Sequence, residues 1–218
     1  MTVAVGYYLR LLLVRQSALA PVLTFVAVTA LVYAAPAGPP LQAGGVSAAA
    51  LFPVAAWLTR TVSTAESPPY AAVTLVTLGS STRRLLARSA AALVAVTGLA
   101  VVAVCWGAVA NGSESYPVST LVVLFALHLS QGAAGVGVGT LVSPPMAVRP
   151  GPAVTLVTLL LVVSLAVPWF PPVQPLIRAT AGDGRPTAGA LLVVVAQAVA
   201  VGALALLAAD RRERRGRS

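Results

Sequence analysis

Six stretches of this chain are too long and too apolar to fold into water. They cover residues 18–36, 44–62, 87–109, 118–141, 152–170 and 187–209, and the formally charged side chains inside them, Arg60 and Arg88, stand within two residues of an end. A helix needs about 20 apolar residues to cross a hydrocarbon core of about 30 Å. A closed barrel would alternate polar and apolar residues at period two, whereas these runs are apolar all round. The pattern predicts an all-α, polytopic membrane protein with six transmembrane helices in one domain, residues 1–218. Composition agrees: 9% of residues are charged and mean hydropathy is +0.92. A soluble domain carries about 25% charged residues, so a solvated globular surface of this size is excluded.

The formal net charge of +9 comes entirely from arginine, since all 14 basic residues are Arg and the chain has no lysine. Placement matters more than the sum. The connections after spans one, three and five read "APAGPPLQAGG", "ANGSESYP" and "FPPVQPLIRATAGDGRP" and carry Arg178 and Arg185. The remaining 12 arginines, from Arg10 and Arg15 through Arg60, Arg83, Arg84, Arg88 and Arg149 to the five of the tail, fall on the opposite side. A bias of 12 to 2 puts both termini in the cytoplasm. It explains the basic charge as a topology signal, so no nucleic-acid partner is expected. The Ala, Val, Gly, Pro and Arg bias is that of a GC-rich bacterial genome, so the expected location is a bacterial cytoplasmic membrane.

Much chemistry is missing. A Walker A phosphate loop needs a lysine, so the chain cannot hold ATP by that device. The acids Glu66, Glu114, Asp183, Asp210 and Glu213 all lie outside the predicted spans, which leaves no mid-membrane carboxylate for ion coupling. One histidine and one cysteine, on different helices, make no metal cluster. The intramembrane polar candidates are His128, Gln131 and Gln197. Each can face a substrate or simply bond to a neighbouring helix, His128 to Ser130, Gln131 or another span. Gly135 and Gly139 form a GxxxG pair that permits close helix approach, within the subunit or across a dimer. Cys105 is expected to be a buried packing residue.

Two connections carry further signal. Ahead of span one, "VGYYLRLLLVRQSALA" puts Tyr7, Tyr8, Leu11, Leu12 and Val14 on an apolar arc with Arg10 and Ser17 opposite. That suits a helix lying in the cytoplasmic interface with its tyrosines at headgroup depth, or else the start of a longer tilted span. Between spans two and three, Pro68 and Pro69 can begin a helix. Tyr70, Val73 and Val76 or Thr77 then share a face, and the hydroxyls at 80–82 can cap a new helix that starts with Arg83. The arginines there can anchor lipid headgroups, transmit force, or both. The segment 170–186 reads as an ordinary outer loop or a short re-entrant piece, with Trp169 and Phe170 as interface anchors.

The layout, together with "AAVTLVTLGSSTRRLLARSAAA", resembles the membrane subunit of an ATP-binding cassette transporter of the type-two exporter family, over the whole chain. In that family a short coupling helix after span two docks in a cleft of a separate ATPase subunit. Leu75 and Leu78 match its leucine-rich helix, Gly79 to Thr82 its small, hydroxylated junction, and Arg83 its arginine. "AESPPYA" departs from the acidic-Gly-Thr run that the family often carries just upstream. The resemblance implies a non-catalytic permease that forms the substrate pathway, with ATPase-coupling residues Glu66, Tyr70, Val73, Leu75, Leu78 and Arg83. It implies no directly bound cofactor, ATP and Mg being held by the partner ATPase, and a second permease copy or paralogue in the bilayer. A secondary transporter or channel-like protein without an ATPase is the alternative reading.

Overall fold

A computed structural model describes residues 1–34, 39–110, 116–144, 150–167, 170–181 and 187–215. The described residues form helices α1 (Thr2–Val14), α2 (Leu19–Val32), α3 (Pro40–Ser63), α4 (Pro68–Leu78), α5 (Ser81–Ala110), α6 (Val118–Leu141), α7 (Pro150–Ala166), α8 (Val173–Thr180) and α9 (Ala188–Arg215), with a 3-10 turn at Gln16–Ala18. No strand occurs among them.

Four of these helices, α3, α5, α6 and α9, are long and apolar enough to cross a bilayer, as a multi-pass membrane protein requires. α1 and the segment Gln16–Val32 pass the same test only as one broken span, bent by 85°. The break falls at Arg15, whose backbone is extended (φ −83°, ψ 121°). α7 has 17 residues, a length of roughly 25 Å at 1.5 Å per residue, and it stops at Ala166 rather than running to 170. The stretch after it is not a plain loop, because α8 forms there. Its first amide, Val173 N–H, donates to Ser164 Oγ of α7 at 2.9 Å, and Gln131 Nε2 of α6 donates to the Pro172 carbonyl at 2.9 Å. Val173 and Leu176 are fully buried beneath it.

Small residues bring the central helices together. A β-carbon on Gly135 would collide with the Phe52 carbonyl oxygen of α3, and one on Gly139 with that of Ala56. On the other flank of α6, Gly137 meets the backbone of Gly202 in α9. The GxxxG pair therefore serves packing inside the chain, and α6 is the middle of an α3–α6–α9 sandwich. Where helix backbones touch in this way, dispersion and weak contacts replace the hydrophobic drive that lipid cannot supply. α5 packs against α3 and α6 through Ala91, Ala92, Val96 and Ala100, all fully buried. Its outer face includes Cys105, which is exposed rather than buried, beside exposed Val101, Val102 and Trp106.

The bundle gathers its charge at one end. The end of α3, the starts of α5 and α7, the ends of α6 and α9, and α1 and α4 all meet there. Among the described arginine side chains, Arg10, Arg15, Arg60, Arg83, Arg84, Arg88, Arg211 and Arg212 lie at this end, and Arg178 lies on α8 at the other. The side chains of Arg149, Arg185, Arg214, Arg215 and Arg217, like Trp169, fall outside the described residues.

Candidate functional site

The junction between α3 and α5 is built around one carboxylate. α3 ends at Ser63, and the chain turns through Thr64–Ser67 into α4, where Pro68 and Pro69 occupy the first positions that need no amide donor. Glu66 sits in that turn with its side chain 2% exposed. Its Oε2 accepts from the Tyr8 hydroxyl of α1 at 3.0 Å and from Arg84 Nε of α5 at 3.3 Å, while Arg84 Nη2 lies at 3.2 Å. Its Oε1 accepts from the Thr74 hydroxyl of α4 at 2.7 Å. One buried acid thus ties three helices together, and its charge is matched by a guanidinium, the condition under which a buried carboxylate is tolerated.

The surroundings repeat the theme. Arg15 donates to the Ala65 carbonyl, and Arg88, itself buried, donates to the Ser63 carbonyl at 3.4 Å. The basic side chains thus close the open carbonyl end of α3, where cations complement the helix dipole. Tyr8 is fully buried. Burial first, and the Glu66 charge second, push its phenol up to about 12, against partial relief from Arg84 and Arg88. It stays a neutral donor to Glu66 at any physiological pH. This corrects the expectation that both tyrosines sit at headgroup depth. Tyr7 is exposed, whereas Tyr8 points inward with Leu12, because the arc that α1 buries is narrower than its apolar content allows.

α4 has no buried residue. It ends at Gly79, whose φ of +68° is the left-handed cap that stops a helix cleanly. Arg83 N–H then reaches Ser80 Oγ at 3.4 Å as α5 begins, two residues earlier than Arg83 itself. Tyr70 (65% exposed), Val73 (63%) and Val76 (81%) face outward. With Met1 and with Val3 and Tyr7 of α1, the α4 side chains Tyr70, Val73 and Leu78 line an apolar groove of about 400 Å3. Of the expected coupling residues, Tyr70, Val73 and Leu78 share this groove. Leu75 is half-buried, Arg83 is exposed and donates to the Leu78 carbonyl at 3.5 Å, and Glu66 is the buried anchor beneath rather than a surface contact. The start of α5 is also tied to the end of α9, through Thr82 Oγ1 donating to Asp210 Oδ1.

The intramembrane polar residues do not converge. His128 is buried; its Nδ1 lies 2.7 Å from the Leu124 carbonyl, so that nitrogen carries a proton, and its Nε2 lies 3.0 Å from Ser47 Oγ of α3. The neighbouring helix supplies the partner, not Ser130 or Gln131. A serine beside a histidine is chemically a nucleophile and a base. Here both are wholly buried where α3 meets α6, so the pair is a packing bond between the two helices. Gln131 is fully buried and holds α8, while its Oε1 and that of Gln197 lack a protein donor. Among the described residues no group of His, Cys, Asp and Glu could hold a metal.

No protein-family model, no curated protein and no solved structure matches the chain. Its function therefore rests on the geometry above.

Sequence reasoning singled out Glu66 as the lone acid of its connection. It missed Tyr8, Thr74 and Arg84 as partners, because Tyr8 is 58 residues away and nothing local marks which tyrosine turns inward. Thr74, eight residues on from Glu66, was within reach of sequence reasoning once α4 was placed.

Proposed function

We propose that the chain is the permease subunit of an ATP-driven exporter, with six spans and both termini in the cytoplasm, forming the substrate pathway and taking its energy from a separate nucleotide-binding ATPase. The observation that carries this reading is α4. It is a helix outside the spans, at the arginine-rich end, with an exposed face of Tyr70, Val73 and Val76 and a buried carboxylate that fastens it to α1 and α5. An exposed apolar face on a helix outside the spans marks a surface for a protein or a membrane, and in this reading the occupant is the ATPase. A push on it would pass through Glu66 and Arg84 into the start of α5, which runs 30 residues through the bundle. The shorter α2, which follows the bend at Arg15, and α7 count as spans one and five in this reading.

The subunit does no covalent chemistry in this mechanism. ATP and Mg stay in the partner, and a second permease copy or paralogue completes the pathway between two membrane halves. The apolar, sparsely charged interior favours lipid-like or amphipathic cargo.

The test is reconstitution in lipid with a nucleotide-binding ATPase that co-purifies with the chain from its native membrane. Stimulated ATP hydrolysis that is lost on deleting residues 70–80, with membrane insertion intact, is the expected result. No ATPase co-purifying, or transport that survives the deletion, overturns it.

A further inference from the structure

A second groove, of about 250 Å3, lies between α3 and α7 at the same end of the bundle. Its wall on α3 is Pro53, Trp57 and Arg60, its floor is Val142 just beyond α6, and its far wall is Val154 and Val157 of α7. The groove is open sideways: Trp57 is 46% exposed and Val154 61%. It therefore faces whatever surrounds the spans rather than the interior of the bundle. At span depth that surrounding is lipid.

Charge sets its polarity. Arg60 stands in the last turn of α3, three residues from Trp57 on the same face. An aromatic ring followed one turn later by a cation marks the depth at which hydrocarbon gives way to headgroups. Arg60 does not swing out to water, because its Nη1 donates to the Val142 carbonyl at 2.8 Å. The guanidinium is thus held at the mouth of an apolar slot as a fixed positive charge, and it is that charge which attracts a phosphate. Basic pockets between helices on the cytoplasmic side are recognised sites for anionic lipid heads.

We propose that this groove binds an anionic phospholipid of the cytoplasmic leaflet, its phosphate at Arg60 and one acyl chain along Pro53, Trp57, Val154 and Val157. The proposal rests on the membrane orientation given above and not on the ATPase partner, so each can fail without the other. The bound lipid would fill the space that α7, packed on the bundle mainly through α3 and α8, leaves open.

The experiment uses the full chain, purified in detergent, with phosphatidylglycerol or phosphatidylcholine of identical acyl chains added in parallel. Retained lipid is read by native mass spectrometry. The wild type is expected to retain phosphatidylglycerol about fivefold more tightly, the value for one arginine near an anionic head. Arg60→Gln should remove that preference. Arg60 also supports the end of α6, so Val154→Trp, which fills the exposed mouth of the groove, is the second arm and should weaken retention of both lipids. Soluble glycerol phosphate should not compete, since it has no chain for the slot. Equal retention of the two lipids by the wild type, a preference that survives in folded Arg60→Gln, unchanged retention in Val154→Trp, or competition by glycerol phosphate would each overturn the site.

Discussion

Replacing Glu66 by alanine tests the central joint directly. Three donors lose their acceptor, and their losses differ. The Tyr8 hydroxyl is fully buried, and leaving such a group without a partner costs about 2 kcal/mol. The Arg84 side chain is 18% exposed, so water takes over part of the lost pairing and its share is about 1 kcal/mol. Thr74 keeps its bond to the Tyr70 carbonyl at 2.9 Å and contributes little. The sum, about 3 kcal/mol, corresponds to a fall of roughly 6–12 °C in unfolding temperature for a chain of this size. Thermal unfolding in micelles measures it, and limited proteolysis within residues 67–79 reports whether α4 is released. The hydrogen-bond account makes a sharper demand. Adding Tyr8→Phe to Glu66→Ala removes the orphaned hydroxyl and should recover most of its share, because deleting both partners is close to neutral. A Glu66→Ala protein that melts within about 1 °C of wild type, or a double variant worse than the single one, would refute the reasoning.

Other outcomes follow from the same geometry. The Tyr8 contribution to stability should be constant below pH 10, the ordinary tyrosine value, and fall as pH rises toward about 12, because the unfolded phenol ionises first while Tyr8 stays neutral; a pH titration of melting should show that alkaline fall reduced in Tyr8→Phe. Gly135→Ala drives a methyl into the Phe52 carbonyl and should cost about 1–3 kcal/mol as overpacking, whereas Gly98→Ala, with open space around it, should be neutral or stabilising by up to about 1 kcal/mol; paired thermal melts compare them. Gly79→Ala, at φ +68°, should cost about 1–2 kcal/mol and raise the rate of proteolytic cutting at the end of α4.

The helices of the bundle were legible because long apolar runs admit no other backbone arrangement in lipid. The stretch 118–141 is helical over those same residues, 44–62 lies inside α3, and α9 begins one residue into the stretch 187–209 and runs six residues past it. The starts of α4 and α5 were legible too, since a proline pair and a run of hydroxyls mark where helices begin. What the sequence hides is which of several equivalent residues turns inward. Tyr7 and Tyr8 are adjacent and alike, and only the position of Glu66 in space chooses between them. α8 was obscured because its segment is rich in proline and polar residues, and the burial of Val173 and Leu176 depends on α3, α7 and α9 being where they are. Cys105 was misplaced for a related reason. In a membrane, an apolar neighbourhood along the chain does not say whether the neighbour in space is protein or lipid.

The glycine contacts of α6 have a mechanical consequence. Side chains can change rotamer to let two helices slide, but a backbone pressed on a backbone has nothing to rotate. α3, α6 and α9 meet through Gly135, Gly139, Gly137 and Gly202 in that way, so they form a keel that moves as one body or not at all. Any relative motion of the helices then falls to those fixed to it more loosely: α1 with its sharp elbow into α2, and α7.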